Sequence, residues 1–579
     1  MKNKIVLFLI LAIALYLRII YVDSNPPSLN WDEASIGYNA YSILKTGRDE
    51  WNRLFPSIFR AFGDYKLPVY IYTTVLSIAI FGLNTFSVRL PSVLAGVGSV
   101  YFTYLLVFEL FPSSKNKPII TDPKLLATMA ALLVAVEPWS LFLSRAAFEA
   151  NLAVLFIISG IYFFLKVVNQ SINFPNHLQP KVAGYLLLST TLLGLSVWTY
   201  NSARIFIPLF MVVLIILYRK EILVIYRSQK HILYYSLFVI LLFFIPMFYQ
   251  LIKPIGQARY SKIALIDSGA VGQIIESRQN SQLPNIITRL VYNRPTYFIR
   301  HLGSNWLDHY NFKFLFFEGG SNYQFSVPGA GVLYTINTTF LVLGFITLLK
   351  RRDRLTVFIL SWFFLSTIPS SLTREAPHVL RASIILPMPM VISAMGLSRV
   401  LQLGRRKFMI LALLLIYVTV LTFSLVNYWK KYFNSYRKNY SWSWQYGYKQ
   451  AVDYAKLHYE DYDRIIFTKK YGEPHIFVLV NYPWNPSRYQ KDASLIRFNQ
   501  SNWYWVDRFD KFYFINDWNI PEEEWQDFVL ENGSRFKCLA GENRCLLITS
   551  PGNMPNGWSK LEDVEFLDGK PAFEIYEKR

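Results

Sequence analysis

The chain has 579 residues, of which 53% are hydrophobic and 17% aromatic but only 17% charged, with a mean hydropathy of +0.25. Soluble domains carry about 25% charge, so this is not one. The net charge of +21 would suggest a nucleic-acid partner in a soluble protein, but Lys and Arg sit mainly in short links between apolar runs, which is membrane topology and not a DNA-binding face.

The opening run MKNKIVLFLILAIALYLRIIYV has Lys2 and Lys4 before its apolar stretch, as a signal peptide would. It is about twice the length of a signal-peptide core, and no A-x-A site follows before Ser24. It is read as a retained first span with a cytoplasmic N-terminus. Further spans are predicted at 87–111, 125–143, 148–168, 182–200, 205–218, 231–251, 329–349, 355–371, 382–400 and 408–426, about eleven in all. Basic residues fall on alternate links: Lys115, Lys117 and Lys124; Lys166 and Lys181; Arg219, Lys220, Arg227 and Lys230; Lys350, Arg351, Arg352 and Arg354; Arg399, Arg405, Arg406 and Lys407. These are the expected cytoplasmic links. The stretch 67–83 would break the alternation as a full span. It is short and begins near Pro68, so it is read as an interfacial or re-entrant helix, with an ordinary span as the alternative.

The outer side then receives 23–86, a link near 143–149, Tyr200 to Arg204, a long loop at 252–328, Thr373 to Arg381 and the polar tail 427–579. In that tail RIIFTKK, HIFVLVNY and KFYFIND are predicted as strands and YGYKQAVDYAKLHYED as a helix, so a small extracytoplasmic α/β domain is expected. The two cysteines, Cys538 and Cys545, exclude a disulfide scaffold, a thiolate metal cluster and iron–sulfur chemistry. An oxidising outer compartment would allow them to close a hairpin, and two reduced thiols remain the alternative.

Carboxylates near a membrane are costly and need an explanation. Asp32 and Glu33 stand at the start of a predicted surface helix, in NWDEASIGYNAYSILKTGRDEW, where adjacent positions point about 100° apart, so that one can face a cavity while the other faces elsewhere. The competing role for Asp32 is helix capping. Glu149, in EPWSLFLSRAAFEAN, follows Arg145 at i, i+4, a spacing that also fits a local ion pair. Lys66, Arg89, Arg204, His378 and Arg381 all lie on predicted outer edges. Several cations at one cavity would suit a phosphate or pyrophosphate, although any one alone reads as an interface residue.

The motifs WDEASIGYNAYSILKTGRDE, GDYKLPVY, FGLNTFSVRLPS and EPWSLFLSRAAFEAN, in this order, resemble the polytopic GT-C glycosyltransferases, among them bacterial members akin to protein O-mannosyltransferases and lipid A aminoarabinose transferases. The resemblance is strongest over about 25–210, weaker through NFKFLFFEGG and PHVLRA, and absent from 427–579. It implies a GT-C-like membrane domain over 1–426, with interfacial helices in the first outer loop, followed by the α/β domain. By resemblance Asp32 is the candidate general base and Glu33 its partner. Lys66 matches the Lys before Pro, Arg89 the Arg of the RLP segment, and Glu149 an acidic residue of the second loop. Here Leu67 and Pro68 follow Lys66 where relatives often have two prolines. The donor implied is a sugar on a polyprenyl phosphate, whose phosphate Lys66, Arg89, Arg204, His378 or Arg381 would meet. The acceptor is left open between glycan, lipid and protein. A divalent cation could be held by Asp32, Glu149 and His378, though nothing in their spacing demonstrates it. Trp442, Trp444, Trp503 and Trp505 could stack on sugars or fill a core. The rival readings are a lipid-linked sugar transporter or flippase and a non-catalytic envelope assembly protein.

Overall fold

The computed structural model describes residues 2–111, 122–173, 181–402, 404, 407–501, 503–523, 525–539 and 541–578. Lys115, Lys117, Arg405 and Arg406, of two predicted cytoplasmic links, lie outside the described residues. The chain divides into two compact units. One comprises Met1–Ile20, Ser92–Ser144 and Phe148–Trp429; the other comprises Tyr21–Pro91, Arg145–Ala147 and Lys430–Arg579. The C-terminal residues therefore fold in one unit with Tyr21–Pro91, which contains the predicted first outer loop, a grouping that no local pattern in either segment announces.

The first unit is helical. Among the described residues, five helices of the chain are long and apolar enough to cross a membrane: Thr85–Leu110, Glu149–Asn173, Arg219–Ile252, Ser383–Gln402 and Lys407–Asn439. Other predicted spans are shorter helices, including Pro123–Val136, Lys181–Val197 and Asn201–Leu217, so length and composition do not by themselves give eleven full crossings. The predicted span 125–143 shows why. Its helix stops at Glu137, whose backbone is extended, and a second helix, Pro138–Leu143, starts on the proline. Proline disfavours a helical conformation in the residue before it. Glu137 is buried there and accepts bonds from the Tyr334 backbone N–H (2.8 Å) and the Asn337 side chain. The helices Asn337–Arg351 and Met388–Gln402 meet backbone to backbone: a Cβ on Gly344 would lie 1.9 Å from the Ile392 carbonyl oxygen, and one on Gly396 1.9 Å from that of Phe340. Small residues permit this approach where the lipid offers no hydrophobic drive between helices.

The second unit is mixed. Its first-loop part contains helix α1 (Trp31–Thr46), the hairpin β1 (Phe59–Ala61) and β2 (Asp64–Lys66), and helix α2 (Pro68–Phe81). At 1.5 Å per residue the 14 residues of α2 reach roughly 21 Å, short of a hydrocarbon core of about 30 Å. The C-terminal part adds β3 (Arg464–Thr468), β4 (Ile496–Gln500), β5 (Trp503–Phe509), β6 (Phe512–Ile515), β7 (Phe528–Val529), β8 (Arg535–Phe536), β9 (Cys545–Thr549), β10 (Ser559–Glu565) and β11 (Pro571–Lys578). Seven of these form a sheet in the order β10-β11-β9-β3-β6-β5-β4. The central β3 pairs in parallel with β6 and β9, and its IIF run is buried, as a strand covered on both faces requires. RIIFTKK and KFYFIND are strands as read, and the helix expected from YGYKQAVDYAKLHYED spans Tyr448–Leu457. HIFVLVNY is not a strand. It forms the buried helix Pro474–Asn481, started by Pro474 at its first turn; periodicity does not separate a short apolar strand from a buried helix. Cys538 and Cys545 are joined in a disulfide.

Candidate active site

The start of α1 is built by a capping box. Asn30 is the N-cap: its side chain accepts the Glu33 N–H at 2.9 Å, and Glu33 returns a bond to the Asn30 N–H at 3.2 Å. Asp32 is therefore not the cap. The Glu33 carboxylate is also fully engaged elsewhere. Oε1 accepts Arg89 Nε (2.9 Å) and the Ala147 N–H (2.8 Å), and Oε2 accepts Arg89 Nη2 at 2.9 Å. Arg89 spends its remaining guanidinium protons on the carbonyls of Val22, Pro26 and Ser28 at 2.6–2.8 Å. Glu33 is 1% exposed and Arg89 0%. With all five donors used, Arg89 has none left for the phosphate expected of it, and Glu33 has no lone pair left for proton transfer. Together they fix the loop to the helix N-terminus.

Asp32 is placed by that scaffold and remains open. Its side chain is 51% exposed, and its Oδ1 lies 3.0 Å from Nζ of Lys66, which is 7% exposed. Lys66 ends β2, where it pairs in register with Phe59, and Leu67 then caps α2 with Pro68 in its first turn. The single proline after Leu67 thus leaves the Lys directed at Asp32.

The aromatic wall beside α1 comes from the C-terminal sheet. Trp31 meets Trp503 edge-on at 6.2 Å, and Phe62 stacks on Trp503 and Tyr504. Behind these rings lie acids that the sequence reading passed over. Glu50, 1% exposed, accepts the Tyr504 hydroxyl at 2.7 Å, and burial raises its carboxyl to about 7. Glu473, 0% exposed, accepts the Trp503 indole N–H and is raised by burial to about 8. His475 beside it is held neutral by burial. The signal for Glu50 was a second Asp-Glu pair, Asp49 and Glu50, at the far end of the first motif. Trp503 and Trp444 serve packing, Trp444 fully buried with its N–H on the Tyr436 hydroxyl, while Trp442 is 48% exposed.

Arg145 belongs to this second unit as well. It lies in a turn that ends before the helix beginning at Glu149, so the two do not share a helix face as the i, i+4 spacing suggested. Arg145 is fully buried, donates to the Asn25 carbonyl at 3.0 Å, and lies over the rings of Tyr432 and Phe433. Glu149, in the other unit, is the first residue of its helix, where a carboxylate complements the helix dipole.

In the helical unit two predicted cations share a cavity of about 290 Å³. Arg204 and Arg381 line it together with the apolar Ile205, Leu251, Ile263 and Leu372. Arg204 donates to the Val197 carbonyl (3.0 Å) and to Gln250 (2.5 Å); Arg381 donates to Thr373 (3.0 Å) and Glu375 (2.6 Å). Arg381 Nε is buried without a partner among the described residues. His378 lines a different cavity, of about 280 Å³, with Asn322, Phe325 and Glu375. Behind it His309 accepts the His378 backbone N–H at 3.4 Å, and burial lowers its imidazole to about 4, so that it serves as a neutral acceptor. Among the described residues no group of three His, Cys, Asp or Glu side chains is arranged to hold a metal ion.

No family model matches the chain. Two proteins of Bacillus subtilis (strain 168) are similar over part of it: "Putative mannosyltransferase YycA", 27% identical over 143 residues, 24% of this chain and 19% of that protein, and "Putative mannosyltransferase YkcB", 28% identical over 169 residues, 29% and 21% respectively. The matched region spans about a fifth of each of these relatives. Among solved structures, ArnT from Cupriavidus metallidurans in the apo state aligns with a TM-score of 0.53 at 12% identity, over 98% of this chain and 97% of that one; the same protein bound to undecaprenyl phosphate gives 0.50 at 12%, with the same coverage. The archaeal oligosaccharyltransferase AglB from Archaeoglobus fulgidus, in complex with an inhibitory peptide and a dolichol-phosphate, gives 0.51 at 15% identity, over 83% and 64%. At these identities the likeness to the solved structures is one of fold.

Proposed function

We propose that the chain is a membrane glycosyltransferase that moves a sugar from a polyprenyl-phosphate donor to an acceptor outside the cytoplasm. The observation that carries this reading is Asp32: a half-exposed carboxylate at a helix start fixed by a buried ion pair, with one oxygen 3.0 Å from a buried lysine ammonium. The cavity of Arg204 and Arg381, with its apolar walls, supports the donor assignment. So do the likenesses to ArnT bound to undecaprenyl phosphate and to AglB in complex with a dolichol-phosphate. The disulfide and the alternation of basic links favour an extracytoplasmic C-terminal segment and a cytoplasmic N-terminus in the cell membrane.

Asp32 takes the proton of an acceptor hydroxyl as its oxygen attacks the anomeric carbon. The new C–O bond forms while the bond from that carbon to the lipid phosphate breaks, and the phosphate leaves with the electron pair. One displacement inverts the anomeric configuration. Within the helical unit, Arg204 and Arg381 offer charge and N–H donation to a lipid phosphate. Lys66 holds the Asp32 carboxylate in position, and Glu33 and Arg89 hold the backbone that carries it. The acceptor class stays open between glycan, lipid and protein hydroxyls.

Transfer of isotope-labelled sugar from an undecaprenyl-phosphate donor in membranes containing the full chain tests this. A glycosidic product of inverted configuration is expected, and Arg381→Gln is expected to lower its formation about 10²-fold. Movement of the intact lipid across the bilayer without bond cleavage would replace this reading with the flippase.

A further inference from the structure

The two weaker motifs, NFKFLFFEGG and PHVLRA, are brought together in the helical unit, and the function above leaves the cavity between them unused. The first ends in Gly319 and Gly320; the positive φ of 72° at Gly319 turns the chain, so that the following residues, including Asn322 and Phe325, face the second motif. A side chain at Gly319 would meet the Ala330 carbonyl oxygen at 2.6 Å. The second motif supplies His378, whose ring lies against Phe325 with centroids 4.9 Å apart. Glu375, which lines the His378 cavity, is bonded to Arg381 of the arginine cavity. Its Oε2 is 2.6 Å from Arg381 Nη2, and it lines the His378 cavity with Asn322.

From that juxtaposition we infer that the cavity of Asn322, Glu375 and His378 holds the sugar of the lipid-linked donor. The inference rests on the glycosyltransferase reading and extends it to the sugar. Across this unit the chemistry runs in the order of such a molecule. Apolar walls at Ile205, Leu251 and Leu372 suit the prenyl chain. The Arg204 and Arg381 guanidiniums suit the phosphate. Beyond Arg381, a carboxylate, an amide and an imidazole offer acceptors and donors for hydroxyls, and Phe325 offers a ring face. At about 280 Å³ the second cavity is at the low end of ligand pockets, the size for one sugar ring and not a chain of them. His378 therefore serves sugar recognition, and the phosphate falls to the two arginines.

The test is equilibrium binding to the full chain in lipid nanodiscs, using undecaprenyl phosphate alone and undecaprenyl phosphates bearing mannose, glucose, N-acetylglucosamine or aminoarabinose. The wild type is expected to prefer at least one sugar-bearing lipid. Asn322→Ala, at an exposed position that should not disturb folding, and His378→Ala are each expected to reduce that preference about tenfold while leaving affinity for the bare lipid phosphate unchanged. Arg381→Gln should weaken all of the lipids alike. Loss of bare and sugar-bearing lipids in equal measure by Asn322→Ala and His378→Ala, or an unchanged preference in both, would overturn the sugar subsite alone. A wild-type chain that binds none of the lipids would overturn the donor assignment and the subsite with it.

Discussion

At the residue scale, Arg89 and Asp32 show how differently two charged groups in neighbouring motifs can be used. Arg89 gives every N–H to the protein, and its carboxylate partner is buried with it. Removing one partner of such a pair strands the other charge, at a cost of about 3–5 kcal/mol. Arg89→Gln is accordingly expected to lower thermal stability in nanodiscs by that amount, whereas Asp32→Asn, at a half-exposed site, should leave the unfolding midpoint almost unchanged. A large loss of stability in Asp32→Asn would mean that its carboxylate is structural. Glu473 gives a second prediction. Burial raises its carboxyl from the ordinary 4.5 to about 8, so between those values the folded chain retains a proton that the unfolded chain has released. The contribution of this group to stability therefore falls as pH rises from about 5 to 8. Comparing unfolding of wild type and Glu473→Gln over this range should show a smaller decline in the variant; identical slopes would contradict the assignment.

At the scale of elements, much of the site was legible because its signals are local. The order of the first four motifs pointed to Asp32 and Lys66, which the structure brings together, and 67–83 holds the single helix of 14 residues that its apolar run suggested. The capping box was also present in the sequence as Asn30 and Glu33 three residues apart, and it explains why Glu33 is consumed by structure. Other features depend on partners far away in sequence. Nothing near Glu50 announces Tyr504, and nothing in HIFVLVNY says that its apolar residues are buried around a helix and not along a strand. Arg145 and Glu149 misled in the opposite way, since a correct spacing was applied to residues that a turn separates. The β8–β9 connection carries its own expectation. Cys538 and Cys545 close a loop of seven residues' separation, and the chain-entropy model gives such a loop about 2–3 kcal/mol. The double variant Cys538→Ser, Cys545→Ser should lose about that much in denaturant unfolding; no loss would show the bridge to be idle.

At the scale of the whole molecule, the helical unit bears a cationic, apolar-walled cavity and the mixed unit bears an oriented carboxylate. The proposed topology is open to direct labelling. A Trp518→Cys variant, at a position 80% exposed in the C-terminal segment, is expected to react with an impermeant maleimide on intact cells, and Arg227→Cys only after permeabilisation. The reverse pattern would place the site on the wrong side for lipid-linked donors. Asp32 is proposed as the base that activates the acceptor, and general bases contribute roughly 10²–10⁴-fold to rate. Single-turnover transfer from a labelled undecaprenyl-phosphate sugar, measured beside donor affinity for wild type and Asp32→Asn in the same proteoliposomes, tests it most directly. A rate lowered about 10²–10⁴-fold with donor affinity retained is expected; turnover near that of the wild type would remove Asp32 from the role of base.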